Sequence, residues 1–278
     1  MKNFDSLNLK TTNLDNKNFQ ISKNIEWETT KAAIFRKSKN ALKKVSDIDF
    51  IDIDLLVGLD RQKDEVIKNT KNFLDDKGAN HALLWGDMGC GKSSLCKAVF
   101  TMFFNQNLRV IEISKHDLES LIDILDEIRE INEYKFIIYI DDLSFEDGDF
   151  SYKFLKPVLE GSIELPPKNV LIYATSNRRH LVNEKMSNEI HEKEAVNERL
   201  SLAQRFGLQI SFYEGGFSEY LDIVDSYFKG LKGDTSELHL KAKQFAMLRA
   251  SRSGRVAKQF YLAFKDKFKD DKKVRLDE

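Results

Sequence analysis

The amino-acid sequence predicts an α/β fold: a five-stranded, mainly parallel sheet between helices, followed by a small all-helical C-terminal lobe. Three observations carry this expectation. First, five short apolar runs have the length of buried strands: "HALLWG" (81–86), "RVIEIS" (109–114), "KFIIYI" (135–140), "NVLIYAT" (169–175) and "LQISFY" (208–213). Second, helical patterns such as "SSLCKAVFTMFF" and "ESLIDILDEIREI" lie between the first four runs. The latter sets Leu121, Ile122, Leu125, Ile128 and Ile131 near one face. Third, beyond Tyr213 the pattern turns to helices alone, in "FSEYLDIVDSYF", "SELHLKAKQFAMLRA" and "GRVAKQFYLAFKDKF". Strands alternating with helices of this length call for a parallel sheet covered on both faces. The expected division is a polar arm and helix over 1–45, an α/β core over 46–213 and a helical lid over 214–278.

In chain order, residues 1 to about 25 are polar and asparagine-rich, and their scattered apolar residues form no helix face, so they read as an arm. From Trp27 to about Val45 the spacing of Ala32, Ile34, Phe35, Ala41 and Leu42 suits a helix with Lys37, Lys39, Lys43 and Lys44 on a solvated face. The stretch "LVNEKMSNEIHEKEAVNER" (181–199) is charged and lacks apolar pattern, with His191 alone among acids, and reads as a surface insertion where a partner could dock. In the C-terminal "KDKFKDDKKVRLDE" the bases are almost matched by acids, so the tail is weak evidence for nucleic-acid binding.

Composition narrows the function classes. With 44 Lys+Arg against 45 Asp+Glu and a net charge of -1, no global field draws the chain to nucleic acid or anionic membrane. Two cysteines, Cys90 and Cys96, form no disulfide framework, and no apolar run approaches the ~20 residues of a membrane span, so a reducing, cytoplasmic setting is expected.

The most specific signal is "GDMGCGKS", which fits G-x-x-x-x-G-K-[ST] with Gly86, Gly91, Lys92 and Ser93. A strand runs into it and a helix leaves it, as a phosphate loop requires. Glycines let successive N–H groups along Asp87, Met88, Gly89, Cys90 and Gly91, and on to Ser94, face phosphate oxygens, and the helix N-terminus adds partial positive charge. Lys92 is expected to reach the terminal phosphates and the Ser93 hydroxyl to ligate Mg²⁺. Cys90 reads as a small filler of a variable loop position rather than a redox switch. The run "FIIYIDD" then ends on Asp141, placed to hold the metal, and Asp142, placed to polarise an attacking water. Glu146 in the loop "LSFEDGD" is the alternative base.

This arrangement resembles the AAA+ ATPases, and the resemblance extends past the phosphate loop. "NVLIYATSN" is similar to that superfamily's sensor-1 strand, ending on Asn177, which the resemblance gives the role of orienting water or contacting the terminal phosphate. "LAQRFG" is similar to the segment of an arginine finger, here Arg205, which implies a homo-oligomer in which Arg205 reaches the neighbouring subunit's nucleotide. "RSGRVAKQF" resembles sensor 2, with Arg255 as the contact and Arg252 as the spare. "DIDLLVGLDRQKDEV" resembles the segment around an adenine pocket, implying contacts from Leu56, Val57 and Gly58. Arg178 and Arg179 read as a solvated turn. More closely, "DDLSFEDGD", "LKPVLEGSIE", "NVLIYATSNRRHL" and "SLAQRFGL" resemble an uncharacterised bacterial ATP-binding family catalogued as domain of unknown function 815. That family is similar in carrying an Asp-Asp pair here.

The resemblance implies ATP and Mg²⁺ as ligands and an ATPase coupling hydrolysis to motion of the lid or between subunits, acting on an unidentified protein or nucleic-acid client and no membrane. The alternative is an ATP-gated binding or scaffold protein with little turnover. A small-molecule kinase would not call for Asn177, Arg205 and Arg255, and no Asn-Lys-x-Asp motif supports guanine recognition.

Overall fold

The computed structural model describes residues 21–146, 149–161, 163–179, 181, 201–230 and 234–268. The expected arm apart from residues 21–25, the 181–199 insertion apart from Leu181, and residues 269–278 of the tail lie outside them.

The five expected strands form. They are β3 (Ala82–Gly86), β4 (Leu108–Glu112), β5 (Lys135–Ile140), β6 (Val170–Ser176) and β7 (Leu208–Phe212). Two further strands, β1 (Ala32–Arg36) and β2 (Ala41–Lys44), occupy the stretch for which the sequence predicts a helix. The sheet is therefore seven-stranded, in the order β2-β1-β4-β5-β6-β3-β7. All neighbours are parallel except the β1–β2 hairpin.

The helix expectation fails because a run this short fits both periods. Ala33 and Phe35, two residues apart, are buried while Arg36 is exposed, which is strand alternation. Asn40 takes φ 42° and ψ 48°, a left-handed geometry that ends any helix and turns the chain back. Leu42 returns to the core, and Lys43 and Lys44 remain exposed on the edge strand, where charge discourages pairing with another chain.

The inner strands read as continuous apolar runs because both faces are covered. On one face Leu83, Phe136, Ile138, Ile140 and Ile172 pack with Trp27, Phe35 and helix α3 (Leu121–Arg129). On the other, Leu84, Ile137, Tyr139, Tyr173 and Phe212 pack against α1 (Asp60–Leu74) and α2 (Lys92–Phe103). α1 presents Val66, Asn69, Thr70 and Phe73 inward, the i, i+3, i+4, i+7 stripe of an amphipathic helix. After α4 (Lys156–Glu160) and β7, three helices follow: α5 (Phe217–Tyr227), α6 (Thr235–Leu248) and α7 (Gly254–Phe264). They form their own cluster around Tyr220, Val224, Phe228, Ala242 and Phe260. α6 begins at Asp234, whose carboxylate accepts from the Ser236 N–H at 2.8 Å. No helix of the described residues is long and apolar enough to cross a membrane.

Candidate functional site

Register assembles the site. Trp85 pairs with Ser176 and Ile140 with Ala174, so Gly86, Asp141, Asp142 and Asn177 emerge together at the carboxyl edge of three adjacent strands. Ligands of open parallel sheets bind at this edge.

The glycine-rich loop expected to hold phosphate runs from β3 into α2. Asp87 donates its N–H to the Phe212 carbonyl at 2.9 Å, and a Cβ at Gly86 would overlap the Phe212 backbone, so glycine is required for the loop to start against β7. Gly91, at φ 93°, caps α2 without a side-chain acceptor. The N–H groups of the first turn have no intrahelical partner, as at any helix N-terminus. Lys92 lies buried beneath them, its Nζ donating to the Gly86 and Asp87 carbonyls, both at 2.7 Å, and to Asn177 Oδ1 at 3.0 Å. Burial draws its pKa below the usual lysine value against the pull of nearby Asp87, Asp142 and Asp141.

The Asp141 carboxylate is held by three hydroxyls. Asp141 Oδ1 accepts from the Ser93 hydroxyl at 2.7 Å, the Tyr139 hydroxyl at 2.7 Å and the Thr175 hydroxyl at 2.5 Å. Burial alone would push this carboxyl up, but the Thr175, Ser93 and Tyr139 hydroxyls outweigh it and hold the group below the usual carboxylate range. A carboxylate beside a helix-initial serine hydroxyl is a hard-oxygen donor pair suited to Mg²⁺, which keeps water and substrate phosphate in its remaining positions. Among the described residues there is no group of three or more His, Cys, Asp and Glu that could hold a metal ion.

Asp142 has φ 53°, a left-handed conformation uncommon for a residue with a side chain. Two bonds hold it there: its N–H donates to Thr175 Oγ1 at 3.0 Å, and its Oδ1 accepts from Asn177 Nδ2 at 2.8 Å. Asn177 therefore links Lys92 to Asp142 through the two ends of one amide. Thr175, which the sequence reading passed over, touches both aspartates, and its only sequence signal is a hydroxyl near the end of an apolar strand.

The other expected residues divide. Arg255, at the start of α7, donates its N–H to the Gly89 carbonyl at 3.2 Å, which brings it onto the phosphate loop. Arg252 extends over the Phe217 ring instead, 5.4 Å from its centroid. Leu56 packs at the fringe of the cluster behind the loop with Leu59, and Gly58 turns at φ 76° between them. Arg205 lies apart from these groups: its Nε bonds Glu160 of α4 and its NH1 donates to Ser201 Oγ at 2.8 Å. Cys90 is half-buried, and burial, reinforced by the Asp87 charge, pushes its thiol up to about 11, so it is not a poised thiolate. Met88 is exposed at the loop's crest. Arg179 is exposed in a turn, as expected, with its guanidinium over the Trp85 ring, 5.3 Å from the centroid.

A family profile described as "Protein of unknown function (DUF815)" matches residues 28–268. No curated protein matches the chain. Among solved structures, the Thermotoga maritima RuvB Holliday junction branch migration motor is similar at 12% identity and a TM-score of 0.45, covering 77% of this chain and 72% of that one. Two substituted forms of the same Thermotoga maritima protein match likewise, each at 12% identity. One has a TM-score of 0.44 and covers 77% of this chain and 72% of its own. The other has a TM-score of 0.45 and covers 79% and 75%.

Proposed function

Because the chain belongs to the family described as "Protein of unknown function (DUF815)", whose description assigns no activity, we propose its function from the site itself: an ATP-binding, Mg²⁺-dependent ATPase of AAA+ type. The observation that carries this reading is the continuous bond path from Lys92 through Asn177 to Asp142, beside the Ser93–Asp141 pair. Lys92 then serves as the phosphate-neutralising cation, Ser93 and Asp141 as the metal-holding pair and Asp142 as the carboxylate for water, all beside one helix N-terminus.

On this reading the loop N–H groups and Lys92 hold the β- and γ-phosphates, and Leu56, Val57 and Gly58 border the adenine. Mg²⁺, held by Ser93 and Asp141, supplies charge neutralisation on those phosphates. Asp142 accepts a proton from the attacking water as its oxygen closes on the γ-phosphorus and the bond to the bridging oxygen breaks. Asn177 fixes the Asp142 carboxylate from one side, which limits where that water sits. Asp142 is preferred to Glu146 as the base because its carboxylate is bonded to the same Asn177 amide that bonds Lys92. Release of the γ-phosphate changes what Arg255 holds, and the helices over 214–278 then move as a lid. Arg205 acts on a neighbouring subunit's nucleotide, and a macromolecular client receives the motion.

Lys92→Ala is expected to abolish binding of a fluorescent ATP analogue. Asp142→Asn keeps the acceptor for Asn177, so binding should persist while turnover falls by about 10²-fold or more. Binding without turnover in the unsubstituted protein would instead favour the ATP-gated scaffold. Turnover undiminished in Asp142→Asn would remove that residue from the role of base.

A further inference from the structure

The last strand ends in "FYEGG", and its glutamate is joined to both halves of the nucleotide site. The Glu214 N–H donates to Asp87 Oδ2, within the phosphate loop, at 2.8 Å. Its carboxylate faces the opposite way, with Oε1 accepting from the Ser251 hydroxyl at 2.6 Å and from the Arg252 N–H. Those donors belong to the short link that opens α7. Ser251 Oγ also lies 3.1 Å from Ser253 Oγ and accepts from the Ser253 N–H at 3.3 Å, which stiffens the link.

Ser253 is buried against the phosphate loop. A Cβ at Gly89 would lie 2.8 Å from Ser253 Oγ and 3.1 Å from Arg255 Cβ, so the loop and the helix start are in van der Waals contact. The Arg255 N–H completes the contact on the Gly89 carbonyl. One residue, Glu214, therefore fixes the height of the 251–253 link over the loop through bonds on each side, and the position of the Arg255 Cα follows from that link.

We propose that Glu214 is a positioning residue that sets Arg255 against the terminal phosphate, and so gives the site its preference for a nucleoside triphosphate over a diphosphate. The inference rests on the reading of Arg255 as a phosphate contact. A carboxylate suits the task because one oxygen accepts two converging donors without competing for the phosphate, which the long Arg255 side chain reaches from the other end of the link. The cation is held by its backbone, so its guanidinium stays free for the ligand.

The test compares affinities of a non-hydrolysable fluorescent ATP analogue and of fluorescent ADP in full-length protein, by anisotropy with Mg²⁺. Arg255→Ala should lower the ratio of the two affinities about tenfold, as loss of a charge-assisted bond to the terminal phosphate would. Glu214→Ala should lower the same ratio to a similar degree, and the double variant should fall no further than the larger single effect. Glu214→Gln should restore the ratio, because the amide oxygen accepts the same two bonds. Ser251→Ala, which removes one of those donors together with the Ser251 hydroxyl's bonds to Ser253, should shift the ratio in the same direction, and this holds even if Glu214→Ala folds poorly. An unchanged ratio in both Glu214→Ala and Ser251→Ala, or losses that multiply in the double variant, would overturn the assignment while leaving Arg255 as a contact. An unchanged ratio in Arg255→Ala would overturn the contact itself, and the assignment with it.

Discussion

Asp142 and His81 show how single side chains are held in states they would not adopt in water. Asp142 is kept in a left-handed conformation by Thr175 and Asn177, so its carboxylate is aimed as well as present. The identities of Asp141, Asp142, Lys92 and Asn177 are legible in the sequence because each closes a strand or a glycine loop. Thr175 and Glu214 are not legible, since a hydroxyl near a strand end and an acid before two glycines are ordinary until register brings partners to them. His81, just before β3, accepts from the Ile172 N–H at 3.0 Å, and burial lowers its pKa from 6.5 to about 4. The native state thus keeps it neutral where the unfolded chain takes up a proton, and stability must decline as pH falls from about 6.5 towards 4. Urea denaturation should show the protein losing about 1.5 kcal/mol more than His81→Asn between pH 6.5 and 5. Equal losses would mean that the imidazole is solvated in the native state.

The β1–β2 hairpin is the element whose sequence pattern misleads, and the reason is physical. Ala32, Ile34, Phe35, Ala41 and Leu42 satisfy a helical spacing only because a five-residue strand and a four-residue strand are too short to reveal a period of two. What separates the readings is Asn40, where the chain turns at positive φ. The sign of a substitution there follows. In a helix interior Asn40→Gly would cost a few tenths of a kcal/mol, whereas at a left-handed turn it should leave stability unchanged or raised. Asn40→Val should cost about 1–2 kcal/mol, because its branched Cβ clashes in that conformation. Denaturant midpoints of the two variants, compared at constant m-value, check both. The inner strands, by contrast, were legible because burial on both faces writes a continuous apolar run, as in β5 and β6.

At the scale of the whole molecule the open matter is whether one chain completes the site. Arg205 stands away from the Lys92–Asn177–Asp142 path and bonds Glu160 and Ser201 of its own chain. Two roles fit that placement, and they differ in what Glu160 does. If the pair only ties α4 to the segment before β7, it is a partly exposed ion pair that contributes about 0–1 kcal/mol, with side-chain exposures of 19% and 42%. Arg205→Ala and Glu160→Ala would then have the same small effect on melting and no effect on turnover. If Arg205 serves the nucleotide of an adjacent copy, the guanidinium has a destination outside its own chain, and the two substitutions must diverge. Turnover per molecule should rise with protein concentration, and Arg205→Ala should erase that rise. Glu160→Ala should preserve the rise and move it to lower concentration, because assembly no longer has to displace the acid from the arginine. Steady-state turnover across a hundredfold range of protein concentration reads all three proteins together. A concentration-independent rate shared by all of them would assign Arg205 to its own subunit, and would leave the Asp142 chemistry to a single chain.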